Sequence, residues 1–311
     1  FKASMPQKTP PPLGKNPKRH WLLETLEHRE LGKILCKLSP REKEIAISCL
    51  DWHNEFNRKK WKKNPSFHNI HHAIAVMYSA QKLIQAALKG NDPLEIKNDL
   101  ERWNRKSHYQ IEPKELTQVA ILAFALHDTG NILKTIMIGP ESKPAPQFLK
   151  RYTAKGAEDR SQKIAEKLIN AHSRKMPEEK KEKFQRFLPL IQHLINETKF
   201  NLEEKAPFGV FTRVIDQVGS NLFNTNTKRT SGLLQEIYKE NPKTKFTPHH
   251  FFNFTRKRFE QLIPSKDKRN SILKIWGKKL PKEKTGLPQE PIEIGEWLRP
   301  VSYTHLTLPT N

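Results

Sequence analysis

The sequence predicts an all-α fold, a multi-helix bundle. Three observations carry that reading. Apolar residues recur three and four positions apart along most of the chain, no alternating run flanked by turn residues marks a strand, and no glycine-rich phosphate loop precedes a helix. The chain has 311 residues, long enough to bury a sizeable core, and its 16 Phe and 6 Trp need one.

The helices follow in order. Leu22, Leu26, Leu31, Ile34, Leu35 and Leu38 mark a first helix over about 20–38. Ser39-Pro40-Arg41-Glu42 opens a second: Ser39 can cap, Pro40 suits the first helical position, and Glu42 can reach back to close a capping box. Ile45, Cys49, Trp52 and Phe56 line one side of it. A third helix is expected over 68–88 and a fourth over 93–107. A fifth, 113–128, is the most apolar segment and belongs at the centre of a bundle. Residues 129–156 are rich in Gly and Pro and too long for an ordinary connection, so a lid or active-site loop is expected there. Helical spacing resumes over 157–171, 180–197 and 207–223, with later helices over 229–240, 247–263 and 268–277.

Residues 1–19 read as a basic, Pro-rich tail, residues 20–225 as one helical domain, and 226–300 as a basic helical extension. Phe1 is not a start residue, so a fragment or processed form is expected. The last eleven residues, 301–311 (VSYTHLTLPTN), carry no charge and resemble a translated sequencing adapter; they are expected to be non-native.

The net charge of +23 points to an anionic partner without naming it. The longest apolar run, Val119–Leu126, is eight residues against the roughly 20 that a bilayer span needs, so no membrane span is expected. Two cysteines cannot build a disulfide scaffold and fit a reducing, cytoplasmic setting.

Four places carry chemistry. In Phe67-His68-Asn69-Ile70-His71-His72-Ala73, His68 and His72 are four apart and share a helix face. His127-Asp128 ends the most apolar helix, where a buried carboxylate costs several kcal/mol unless a cation or strong hydrogen bonds compensate. Asp216 interrupts another apolar run, Val214 to Val218. Weaker candidates are Glu158, Arg160 and Ser161 at one helix start, and His193 and Thr198 on another. Arg160 could meet a phosphate bidentately.

Taken together, His72, His127-Asp128 and Asp216 reproduce an H…HD…D order. The chain thereby resembles the HD-domain metal-dependent phosphohydrolase superfamily, over about 65–225, closest to its cyclic nucleotide phosphodiesterase-like branch. Residues 67–73 are similar to that branch's Y-H-N-x-x-H-A segment, and Leu194–Phe200 (LINETKF) to another of its helices. The resemblance implies His72, His127, Asp128 and Asp216 as ligands of Zn, Mn or Fe, with Mg or Mn at a second site bridged by Asp128. It implies His68 as general acid, and hydrolysis of a nucleotide-like phosphodiester or phosphomonoester by a metal-activated hydroxide. Asn69, Arg160 and His193 are the substrate-binding candidates, and the substrate is an anionic small molecule. Two departures stand out. Thr129-Gly130-Asn131 follows the HD pair where those enzymes carry a further histidine, and no purine-clamping glutamine is identifiable.

Two other readings follow from the same residues. One is a non-catalytic HD-like scaffold. The other is a polyanion-binding helical protein: residues 243–284 hold thirteen Lys or Arg against three acids, interleaved with aromatics, which suits weak nucleic-acid contact.

Overall fold

Helix α5 (Pro113–Leu126) is the axis of the molecule in the computed structural model. The structure describes residues 27–60, 70–130, 156–174, 176–199, 206–223, 247–282 and 285. The expected tails 1–19 and 301–311, the helix over 229–240 and most of the expected lid lie outside these. Among the described residues all regular structure is helical, with no strand.

Every side chain from Val119 to Leu126 is fully buried, as an apolar-all-round helix requires. Around α5 pack α2 (Pro40–Lys60), α3 (Ile70–Leu88), α6 (Ala157–Ser173) and α7 (Glu178–Asn196). Helix α1 (Glu27–Leu35) lies on α3, burying Leu31 and Ile34.

Local chemistry sets the helix starts. The capping box expected at Ser39 forms: the Ser39 N–H donates to Glu42 Oε2 at 2.6 Å, and the Glu42 N–H points back to Ser39 Oγ at 3.5 Å. Glu112 and Glu115 build a second box ahead of α5, with Pro113 in the first helical turn. Helix α4 (Ile96–Lys106) starts three residues later than its apolar spacing suggests. The reason is Asp92, whose carboxylate takes the N–H groups of Ile96 and Lys97 at 2.8 and 2.9 Å while Glu95 turns left-handed.

Helix α8 runs from Gly209 to Phe223 in three stretches: α-helical Gly209–Val214, a π-turn over Ile215–Gly219, and α-helical Ser220–Phe223. The chain enters it through Phe208, fully buried and left-handed (φ 63°), whose N–H is held by Asp99 Oδ2 at 2.7 Å.

Helices α9 (Pro248–Leu262) and α10 (Lys266–Trp276) fall within the stretch set apart as an extension. Phe259, Ile263, Ile272 and Trp276 nevertheless belong to the same apolar core as α3 and α5. Helix α10 closes at Gly277, whose φ of 64° suits glycine, with the Lys278 N–H returning to Leu273 O. The aromatics that could have served as a stacking platform are partly spent here: Phe259 and Trp276 are buried and stack on each other, with ring centres 6.4 Å apart. Among the described residues no helix is long and apolar enough to cross a membrane.

Candidate metal centre

Four side chains from three helices meet beside the end of α5. His72 stands in the first turn of α3, His127 and Asp128 follow the last turn of α5, and Asp216 is the second residue of the π-turn in α8. The two imidazole Nε2 atoms are 3.2 Å apart. Asp128 Oδ2 lies 3.3 Å from His72 Nε2 and 3.1 Å from His127 Nε2. Asp216 Oδ1 lies 3.2 and 3.4 Å from the same two nitrogens. His72, His127 and Asp128 are all less than 10% exposed.

These separations fit a small cation. A point in the plane of three donors about 3.2 Å apart lies about 1.9 Å from each. An ion just off that plane therefore reaches the roughly 2.0–2.2 Å typical of Zn–N and Zn–O bonds. His72, His127 and Asp128 form such a set, and the two nitrogens with Asp216 form a second one sharing the same edge. His72, His127 and Asp128 are thus a buried group that could hold a metal ion.

The scaffold prepares His127 for that role. Its Nδ1 is 2.7 Å from the Phe124 carbonyl oxygen, which can only accept, so Nδ1 carries the hydrogen and Nε2 is the nitrogen that faces the other donors. Burial alone would lower the His127 pKa. The carboxylates of Asp128 and Asp216 outweigh it and hold the value well above the ordinary imidazole range. Burial would likewise raise Asp216, but hydrogen bonds from His127 and His72 bring it down to about 2. The cluster therefore carries strong negative potential that positive charge must balance, whether from protons or from a cation.

The turn after Asp128 is bolted to α6. Ser161 Oγ donates to the His127 carbonyl oxygen at 2.5 Å and accepts the Gly130 N–H at 2.9 Å. Arg160 Nε donates to the Gly130 carbonyl oxygen at 3.0 Å. Gly130 has no room for a side chain: a Cβ would lie 2.1 Å from the Ala157 carbonyl oxygen.

The structure thus brings together the four expected ligands and fixes Arg160 on the adjoining turn. His193 makes other contacts: its Nε2 donates to the Pro207 carbonyl oxygen at 2.8 Å and its ring tilts over Trp103 at 4.9 Å, neither of them one of the four. Thr198 Oγ1 is likewise turned back, onto the Ile195 carbonyl at 2.7 Å. His68 and Asn69 lie outside the described residues. Sequence reasoning missed Gln217, Arg213, Glu197 and Arg258, which are polar groups gathered around the π-turn. Arg213, Glu197 and Gln217 are under 10% exposed; the available signal was Arg213 and Gln217 flanking Asp216 within an apolar run, while Glu197 and Arg258 left none. Comparison of the chain with protein-family models, curated proteins and solved structures returned no match.

Proposed function

We propose that this chain is a metal-dependent phosphohydrolase of the HD type, acting on a small anionic phosphoester of nucleotide-like character. The observation that carries the reading is the convergence of two imidazoles and two carboxylates, each nitrogen 3.1–3.4 Å from both oxygens, in an otherwise apolar core. Burying so many polar groups is costly unless a charge of opposite sign compensates them.

His72 and His127 would hold the ion through Nε2, Asp128 through Oδ2 and Asp216 through Oδ1. When bound, a divalent cation supplies polarisation of water and neutralisation of charge on the phosphoryl oxygens. The chain's own groups do the rest. The Phe124 carbonyl keeps the His127 ring oriented. Arg160, fastened to the turn that carries Asp128, adds a guanidinium for a phosphate. The net charge of +23 draws an anion in. His68, four residues before His72, is assigned as the acid that protonates the leaving oxygen, and Asn69 as the group that orients it. A second ion, Mg²⁺ or Mn²⁺, would share Asp128.

The test is a phosphoester panel with added Mn²⁺, covering bis-p-nitrophenyl phosphate, p-nitrophenyl phosphate, cyclic nucleotides and nucleoside monophosphates. Asp128→Ala should lose metal and turnover together; His68→Ala should keep metal and lose turnover. Full metal occupancy without hydrolysis of any member would favour the scaffold reading instead.

A further inference from the structure

We propose that Gln217 and Arg258 are positioning residues for Asp216, so that the C-terminal helix pair α9–α10 determines how tightly the four-residue cluster holds a cation. The inference rests on the reading of that cluster as a metal centre.

Asp216 stands in a π-turn, a wider helical turn that packs less regularly than its neighbours and commonly marks a working site. Such a turn needs support from outside the helix. One brace is local: Ser220 Oγ donates to the Asp216 carbonyl oxygen. The next is not. Gln217, the residue after Asp216, is 7% exposed, and its Oε1 accepts from Arg258 Nε on α9 at 2.7 Å. A charge-assisted hydrogen bond of that length fixes the Gln217 side chain, and with it the peptide that joins Gln217 to Asp216.

Arg258 is held by neutral amide oxygens on two helices. Its Nη1 also reaches Gln261 Oε1 at 3.4 Å. Arg213, one turn before Asp216, repels it and is drawn the other way, towards Glu197 Oε2 at 3.9 Å.

The far end of the π-turn is braced by the same helix pair. A Cβ on Gly219 would lie 2.8 Å from Ser79 Oγ and 3.2 Å from Trp276 Cη2, so α8 is seated directly on α3 and α10. Trp276 Nε1 donates to the Ser79 carbonyl oxygen at 3.2 Å, and Lys82 Nζ reaches the Trp276 carbonyl at 3.5 Å. Ser79 is seven residues beyond His72 on the same helix, hence on the same face. Helices α9 and α10 therefore tie the segment that carries Asp216 to the segment that carries His72. Asp216 Oδ1 lies 3.2 and 3.4 Å from the two imidazoles, so a displacement of about 1 Å would take it out of reach of a shared ion at the bond lengths usual for such sites.

The experiment uses the full chain, stripped with chelator and titrated with Co²⁺, whose visible ligand-field absorption reports coordination geometry. Arg258→Ala and Gln217→Leu should each weaken Co²⁺ binding about 10- to 100-fold, as loss of a group that orients a metal ligand does. They should also change the shape of the Co²⁺ spectrum, a readout that mere loss of stability does not alter. Gln217→Glu, which keeps an acceptor for Arg258, should restore the wild-type spectrum, and Lys257→Ala, an exposed neighbour, should leave it unchanged. Wild-type affinity and spectrum in either Arg258→Ala or Gln217→Leu, whichever remains folded, would overturn the proposal. Wild-type protein that binds no Co²⁺ would instead overturn the metal reading beneath it.

Discussion

Gly130→Ala is the most informative single change, because the structure says what one methyl group would meet. The new Cβ would lie 2.1 Å from the Ala157 carbonyl oxygen, 2.9 Å from Arg160 Cβ and 2.9 Å from the Ser161 nitrogen. Two of the three are backbone atoms, so no rotamer change relieves them. The first turn of α6 has to retreat by about 1 Å to reach ordinary contact distance. Overpacking of this kind costs about 1–3 kcal/mol. The retreat also loosens three hydrogen bonds: Gly130 N–H to Ser161, Ser161 to the His127 carbonyl, and Arg160 to the Gly130 carbonyl. At about 0.5–1.5 kcal/mol each, their partial loss brings the total to about 2–5 kcal/mol. For a domain of this size that lowers Tm by about 4–20 °C. The assay is thermal unfolding of metal-free protein by circular dichroism, with Ser161→Ala as the variant that removes two of the bonds without the clash. Ser161→Ala should fall between wild type and Gly130→Ala. A Gly130→Ala protein that melts within a degree of wild type would refute the reasoning.

Three further outcomes are expected. Arg186→Ala strips a two-pronged partner, at 2.6 and 2.9 Å, from the mostly buried carboxylate of Glu115, and should cost about 2–4 kcal/mol in urea unfolding; a loss under half a kcal/mol would show that the pair is solvated. Trp276→Ala should cost about 3–5 kcal/mol, whereas an unchanged urea midpoint would mean that α10 is not part of the core. Ellman's reagent should titrate one thiol in the native protein, exposed Cys36. Burial, with help from the Asp51 carboxylate, pushes the Cys49 thiol far up, so it should react only after unfolding, and two rapidly reacting thiols would contradict its placement.

The parts of the fold that were legible in the sequence are those that local chemistry decides. The capping box at Ser39 and the proline start of α5 depend on residues three or fewer apart, and both form as read. The central place of α5 followed from its unbroken apolar run. The late start of α4 was not legible, because the left-handed turn at Glu95 leaves no mark on hydrophobic spacing.

The site divides in the same way. His127, Asp128 and Asp216 announced themselves as polar residues where the pattern demanded apolar ones. His193, a weaker candidate, tilts over Trp103 and donates to the Pro207 carbonyl, contacts that spacing alone does not reveal. The π-turn has no sequence signature, and the Arg258–Gln217 bond joins residues 41 apart, so both were invisible until the chain was folded. Distance along the chain also hid the docking of α9 and α10. The helical spacing of their phenylalanines favoured a core or docking role over a basic–aromatic binding face, and Phe259 and Trp276 lie inside the core.

The claim on which the rest depends is that His72, His127, Asp128 and Asp216 hold one divalent cation between them. Elemental analysis of untagged protein, dialysed at neutral pH and compared with the His72→Ala/Asp128→Ala double variant, tests it most directly. The wild-type protein should retain about one equivalent of Zn, Mn or Fe per chain and the folded double variant none. Equal metal content in the two, or none in either after incubation with each ion in turn, would contradict it.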